Sequence, residues 1–219
     1  MVFKIRKTKN ILKLVCSFFV VMGIFIADFS SVEAFTKNDS IAVMDFGTRP
    51  GASPSEINVQ NAEYTSSEYI INALVKNGFN VQDKDLVMNR LKEEGLNTTG
   101  LIDPDTAKRI GNILKVRYIM YGNVANVSTS EDSYGLDISG IVAGVDVCTV
   151  KAHIIARIMD VETGNIVKMM KGDGESKSSF VEAGAKTIGT VGIGTKTVTM
   201  DSVHNSIRKA GEQAVSKLH

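Results

Sequence analysis

The stretch of this chain closest in residue type to a phosphate-binding loop is GTVGIGTKT, residues 189–197. Such a loop needs Lys directly after its last Gly, so that backbone N–H groups and the ammonium converge on the phosphates. Here Thr195 separates Gly194 from Lys196, and no helix start is signalled before Asp201. Nucleotide binding is therefore not expected. The three His, His153, His204 and His219, are not spaced with Cys, Asp or one another as metal ligands would be. His153 alternates with Lys151 and Arg157 on the polar side of a strand pattern and reads as a solvated surface residue. Cys148 shares the other side with Val150, Ala152, Ile154, Ala156 and Ile158, which reads as a small buried apolar side chain and not a reactive thiol. The acid pairs Asp83/Asp85 and Asp103/Asp105 stand at helix starts, where capping and the helix dipole account for them. No catalytic residue, cofactor or metal site is assigned, and the chain is not expected to be an enzyme.

The segment 180–199 carries a different signal. Val181, Ala183, Ala185, Val191 and Ile193 fall on one side of a period-two pattern, and Glu182, Lys186 and Lys196 fall on the other. The smooth side lacks the Leu and Phe of an ordinary core. A thin strand, apolar on one side and charged on the other, suits a membrane β-hairpin or an exposed sheet extension. Val181, Ala183, Ala185, Val191 and Ile193 are the candidate lipid-facing residues, and Glu182, Lys186 and Lys196 the candidate lumen-facing ones. The Gly-rich segments also fit an irregular surface excursion of a soluble domain. A hairpin pair cannot close on itself, and an open sheet edge cannot sit in lipid, so a membrane role requires a ring of identical subunits.

Residues 1–34 read as a signal peptide, with Lys4, Arg6, Lys7, Lys9 and Lys13 before an apolar run at 14–27 and a small-x-small site at Val32-Glu33-Ala34. Cys16 follows Val15 inside that run, so lipidation there is not expected. The whole chain has a formal charge of +1, and without its first 34 residues the balance is near −2. That is no electrostatic footprint for nucleic acid. Residues 35–219 are expected to form a single domain, with Cys148 as its one thiol and so no internal disulfide.

Strands are expected at 40–46, 79–82, 117–127 and 148–161, with a turn at 160–165 returning into 166–170. Helices are expected over 65–77, from Asp83 to about 94, from Asp103-Pro104 through Ala107, Ile110 and Leu114, and from Asp201 to the end. Residues 47–62, with Pro50 and Pro54, are long for a simple connection. Gly122 implies a bulge or a close backbone approach. The whole argues an α+β fold: a mixed β-sheet packed with about four helices.

IAVMDF (41–46), LKEEG (91–95), YIMYGNV (118–124), ARIMDVETGNIV (156–167) and SVHNSIRKAGEQAV (202–215), in this order, resemble the CsgG/HfaB family, the curli production assembly/transport component. The likeness covers most of residues 40–218. It implies a periplasmic α+β domain with two β-hairpin extensions, expected at about 122–147 and 168–199. It further implies a homo-oligomeric ring at the outer membrane, a shared β-barrel and secreted protein substrates as partners. Only Tyr134 and Phe180 are available for an aromatic girdle, since the chain has no Trp. In this reading the 47–62 stretch lies where the family narrows its channel. The alternative is a soluble periplasmic interaction module of the same fold.

Overall fold

The computed structural model describes residues 35–48, 62–96, 102–185, 189–194 and 198–218. The signal-peptide reading of residues 1–34, most of the 47–62 stretch, and Lys186 and Lys196 lie outside these.

Strands β1 (Ile41–Val43) and β2 (Gly47–Thr48) run parallel to the inner half of β3 (Tyr118–Ile138). From β3 the sheet continues antiparallel through β4 (Ile141–Asp160), β5 (Ile166–Ala185) and β6 (Gly189–Gly194). Helices α1 (Ala62–Lys76), α2 (Lys84–Glu93), α3 (Pro104–Leu114) and α4 (Met200–Ser216) pack on the two faces of its inner part.

Alternation along the inner strands divides the core. Ile41, Val43, Tyr118, Met120, Ile154 and Ile158 join Ile70 and Leu74 of α1 and Val203, Ile207 and Ala210 of α4 on one face. Ala42, Met44, Ile119, Tyr121 and Met159 join Val87 and Leu91 of α2 and Ile110 and Leu114 of α3 on the other. This sheet is buried on both sides here, so its β1 reads as an unbroken apolar run.

Local chemistry sets the helix ends. Asp83 accepts from the Leu86 N–H at 2.9 Å, and Asp103 accepts from the Asp105 and Thr106 N–H groups at 3.1 and 3.0 Å. Pro104 occupies the first turn of α3, where no N–H partner is needed. Helix α4 is capped by Thr199, which accepts from Ser202 N–H at 3.2 Å, so the cap expected at Asp201 stands two residues earlier. Asp201 instead lies in the first turn, where its charge suits the dipole.

Several strand expectations change. The expected strand at 79–82 is a single bridge, Val81 to Ile41. The poorly patterned 136–147 is regular strand on both sides of a turn at Ser139 and Gly140, and 166–170 and 180–185 belong to one continuous β5. Gly122 is a close approach: a side chain there would meet the Ile155 carbonyl and the Phe46 ring. The bulge falls three residues later, at Ala125, where the register with β4 shifts between Val124 and Asn126.

Candidate assembly surface on the outer ribbon

Beyond the helices, β3, β4, β5 and β6 continue as a four-stranded antiparallel ribbon. The β3–β4 hairpin closes at Ser139 and Gly140, both at positive φ (53° and 85°), between the paired Ile138 and Ile141. Two left-handed residues give the turn whose twist matches that of the flanking strands. The other hairpin pairs Ala185 with Gly189, its connection lying outside the described residues.

Register then assembles the side chains into rows. Directly opposed residues on antiparallel strands project to the same face. Tyr134 opposes Val145, Val145 opposes Val181, and Val181 opposes Ile193. The next row is Leu136, Ala143, Ala183 and Val191, and the outermost is Ile138, Ile141, Ala185 and Gly189. Tyr134, Leu136, Ile138, Ile141, Val181, Val191 and Ile193 of these rows are 48–77% exposed, while Val145 is half-buried. Such a contiguous apolar surface on one face marks an interaction site.

The structure thus brings the five candidate lipid-facing residues onto one face, though Ala185 is half-buried. Glu182 projects to the opposite face, in register with Gly144 and Gly192. The apolar face owes as much to the first hairpin as to the second. The signal for that half was present as Y-x-L-x-I before a Ser-Gly turn and I-x-A-x-V after it. Phe180 is not part of any girdle with Tyr134. It projects to the face of Glu182, and its ring covers Gly192, where a side chain would collide with it. An aromatic ring laid over a strand glycine compensates for the missing side chain.

Polarity reverses between the inner and outer parts of the ribbon. On inner β4 the buried side is Val150, Ala152, Ile154, Ala156 and Ile158. The other side there carries Lys151, His153 and Arg157. On outer β4 the side continuous with Lys151 and His153 becomes Val145, Ala143 and Ile141, while the side continuous with Val150 becomes Asp146 and Gly144. No register shift separates Asn126↔His153 from Ile138↔Ile141, so the exchange is one of sequence and not of geometry. Cys148 sits at the crossover, buried, with its thiol pushed up by burial first and by the nearby Glu131 charge second.

The inner polar side is paired and not simply solvated. His153 Nδ1 lies 2.7 Å from Asp173 Oδ1 across the β4–β5 pair, with the His side chain 32% exposed, so the expected surface His also has a partner across the strands. Glu175 takes Lys177 at 3.0 Å and Lys151 at 3.8 Å, contacts that hold its carboxyl below the ordinary 4.5. Lys151, His153, Asp173 and Glu175 line an open trough of about 420 Å³ with Asn126 and Ser128. Among the described residues no group of three or more His, Cys, Asp or Glu is arranged to hold a metal. No helix among them is long and apolar enough to cross a membrane.

No curated protein matches the sequence. Among solved structures, the LpoB C-terminal domain from Salmonella enterica is 18% identical, covering 70% of this chain and 90% of its own, with a TM-score of 0.43. Lipoprotein GNA1162 from Neisseria meningitidis is 16% identical over 74% of this chain and 88% of its own, with a TM-score of 0.44. The PelC dodecamer subunit from Paraburkholderia phytofirmans is 13% identical over 87% and 96%, with a TM-score of 0.40. The family model of the curli production assembly/transport component CsgG matches residues 26–219. With nearly the whole chain matched, and with the ordered α+β body and paired hairpins described above, this protein belongs to the CsgG family.

Proposed function

We propose that this chain is an oligomeric secretion component of the outer membrane, whose ribbons join edge to edge into a barrel through which extracellular proteins pass. The observation that carries this is the exposed apolar face shared by both hairpins. The outer legs, 129–138, 141–149 and 177–185, are each about nine or ten residues, close to the roughly 9–11 of a tilted membrane strand. One ribbon leaves two open edges, outer β3 and β6, which lipid does not tolerate. These edges run antiparallel to each other, so β6 of one copy suits β3 of the next in a head-to-tail ring. Lipid would then meet the rows of Tyr134, Leu136 and Ile138, and Glu182 would face the lumen with Asp137 and Asp146. The reading assigns the chain no reaction of its own.

Flotation with lipid vesicles, followed by native mass measurement in mild detergent, tests the proposal. Co-flotation and a mass of many subunits are expected. A water-soluble monomer that leaves the vesicles untouched would end it.

A second reading, a periplasmic interaction module, is favoured by the height of the apolar band. Three rows about 6.8 Å apart cover roughly 20 Å along the strands, or about 15 Å at a barrel tilt of about 40°. A membrane barrel usually shows an apolar band of about 25 Å. In this reading the band is covered by an envelope protein. Release from the envelope fraction without detergent supports it over the first.

A further inference from the structure

The body edge of β5 is the place where this sheet ought to be sticky. Strand β6 pairs with β5 over Phe180–Ala185, so among the described residues the earlier part of β5 has no strand on that side. An uncovered edge offers a row of N–H and C=O groups to any extended segment, including the same strand of a second copy. Here three groups of that row are already bonded from α4. Lys217 Nζ donates to the Lys171 carbonyl at 2.6 Å. The Asp173 N–H donates to Gln213 Oε1 at 2.7 Å. Lys209 Nζ donates to the Glu175 carbonyl at 2.8 Å.

The spacing explains why one helix face can do this. Outward-facing groups recur every second strand residue, about 6.7 Å apart. Side chains at i, i+4 and i+8 recur about every 6.0 Å along a helix. The two repeats stay in step over three positions when helix and strand run alongside each other. Small residues bring them close enough: side chains at Gly172 and Gly174 would strike the carbonyls of Ala210 and Ser206. Lys217 also reaches Gln213 Oε1 at 3.5 Å, which helps to orient the amide.

We infer that Lys209, Gln213 and Lys217 form an edge guard that keeps inner β5 from pairing with β5 of a second copy. Strand pairing between copies is thereby restricted to the outer ribbon. The guard acts on the body alone and holds whether or not the ribbon enters lipid.

The test uses the full chain. In Gln213→Ala, hydrogen exchange of the Asp173 amide should rise roughly five-fold or more, the effect of losing one hydrogen bond worth about 1 kcal/mol. In the triple variant K209A/Q213A/K217A, native mass should spread into a ladder of larger species. Adding Asp173→Pro to that background removes the outward N–H and should suppress the ladder, since Pro is tolerated on an edge strand. A triple variant with unchanged circular dichroism, unchanged mass distribution and unchanged Asp173 exchange would overturn the inference. If the triple variant fails to fold, unchanged exchange in Q213A alone overturns it.

Discussion

The inner and outer halves of β4 have the same backbone and the same neighbours, yet they carry their apolar side chains on opposite sides. Inside, Ile154 and Ile158 lie against helices and are fully buried. Outside, Ile141 and Val145 lie on the reverse side, and Ile141 is 66% exposed. Strand geometry alone does not assign an inside. The partner that covers each face does, and among the described residues only the inner half finds its partner within the chain. The inner half is therefore fitted to fold, and in the proposed reading the outer half is fitted to associate.

Mutations on the two halves should separate those roles. The largest effect is expected from Ile154→Ala, which opens a cavity beneath α4 and should cost roughly 2–5 kcal/mol of stability in urea denaturation. Gly174→Ala comes next, because the new methyl must push the Ser206 carbonyl and hence α4 away from β5. A loss of roughly 1–3 kcal/mol is expected by the same measurement. Cys148, at the crossover, should resist alkylation in the folded protein and react promptly once urea unfolds it; fast labelling of the native chain would move the boundary inward.

The double change Leu136→Ser with Ile193→Ser should leave stability within about 0.5 kcal/mol, since both side chains are exposed. Vesicle flotation should nevertheless be lost, and a retained float would break the contrast between the halves. The smallest effect is expected from Glu175→Gln on the paired polar side. Its carboxyl is held below the ordinary value by Lys177, so its stabilising contribution is present above the unfolded value and disappears as pH falls through the folded one. Wild type and variant should differ slightly in urea midpoint at pH 7, and the difference should shrink as pH is lowered below 4.5, whereas a difference that does not shrink would show that another group is responsible.

Much of the body was legible because its signals are local. Asp83, and Asp103 followed by Pro104, mark the starts of α2 and α3, and Gly78 at φ 82° ends α1. The alternation of 148–161 was plain for the same reason. The segment 136–147 was not, because its glycines dilute the pattern and its apolar side is the reverse of the one that neighbouring β4 residues bury. The cap at Thr199 was missed because Asp201 offers an equally good local signal. The His153–Asp173 pair was missed because its members are twenty residues apart in sequence and meet only across the strand register.

The amino-acid sequence by itself determined the four helices, the α+β class and the thin apolar side of 181–193, since each depends on spacing within a few residues. Only the tertiary structure decided that both hairpins contribute to one surface, that Phe180 turns away from it, and that α4 closes the edge of β5. Those facts depend on which strand lies beside which, and in what register. Register is set by non-local hydrogen bonds that no run of neighbouring residues specifies.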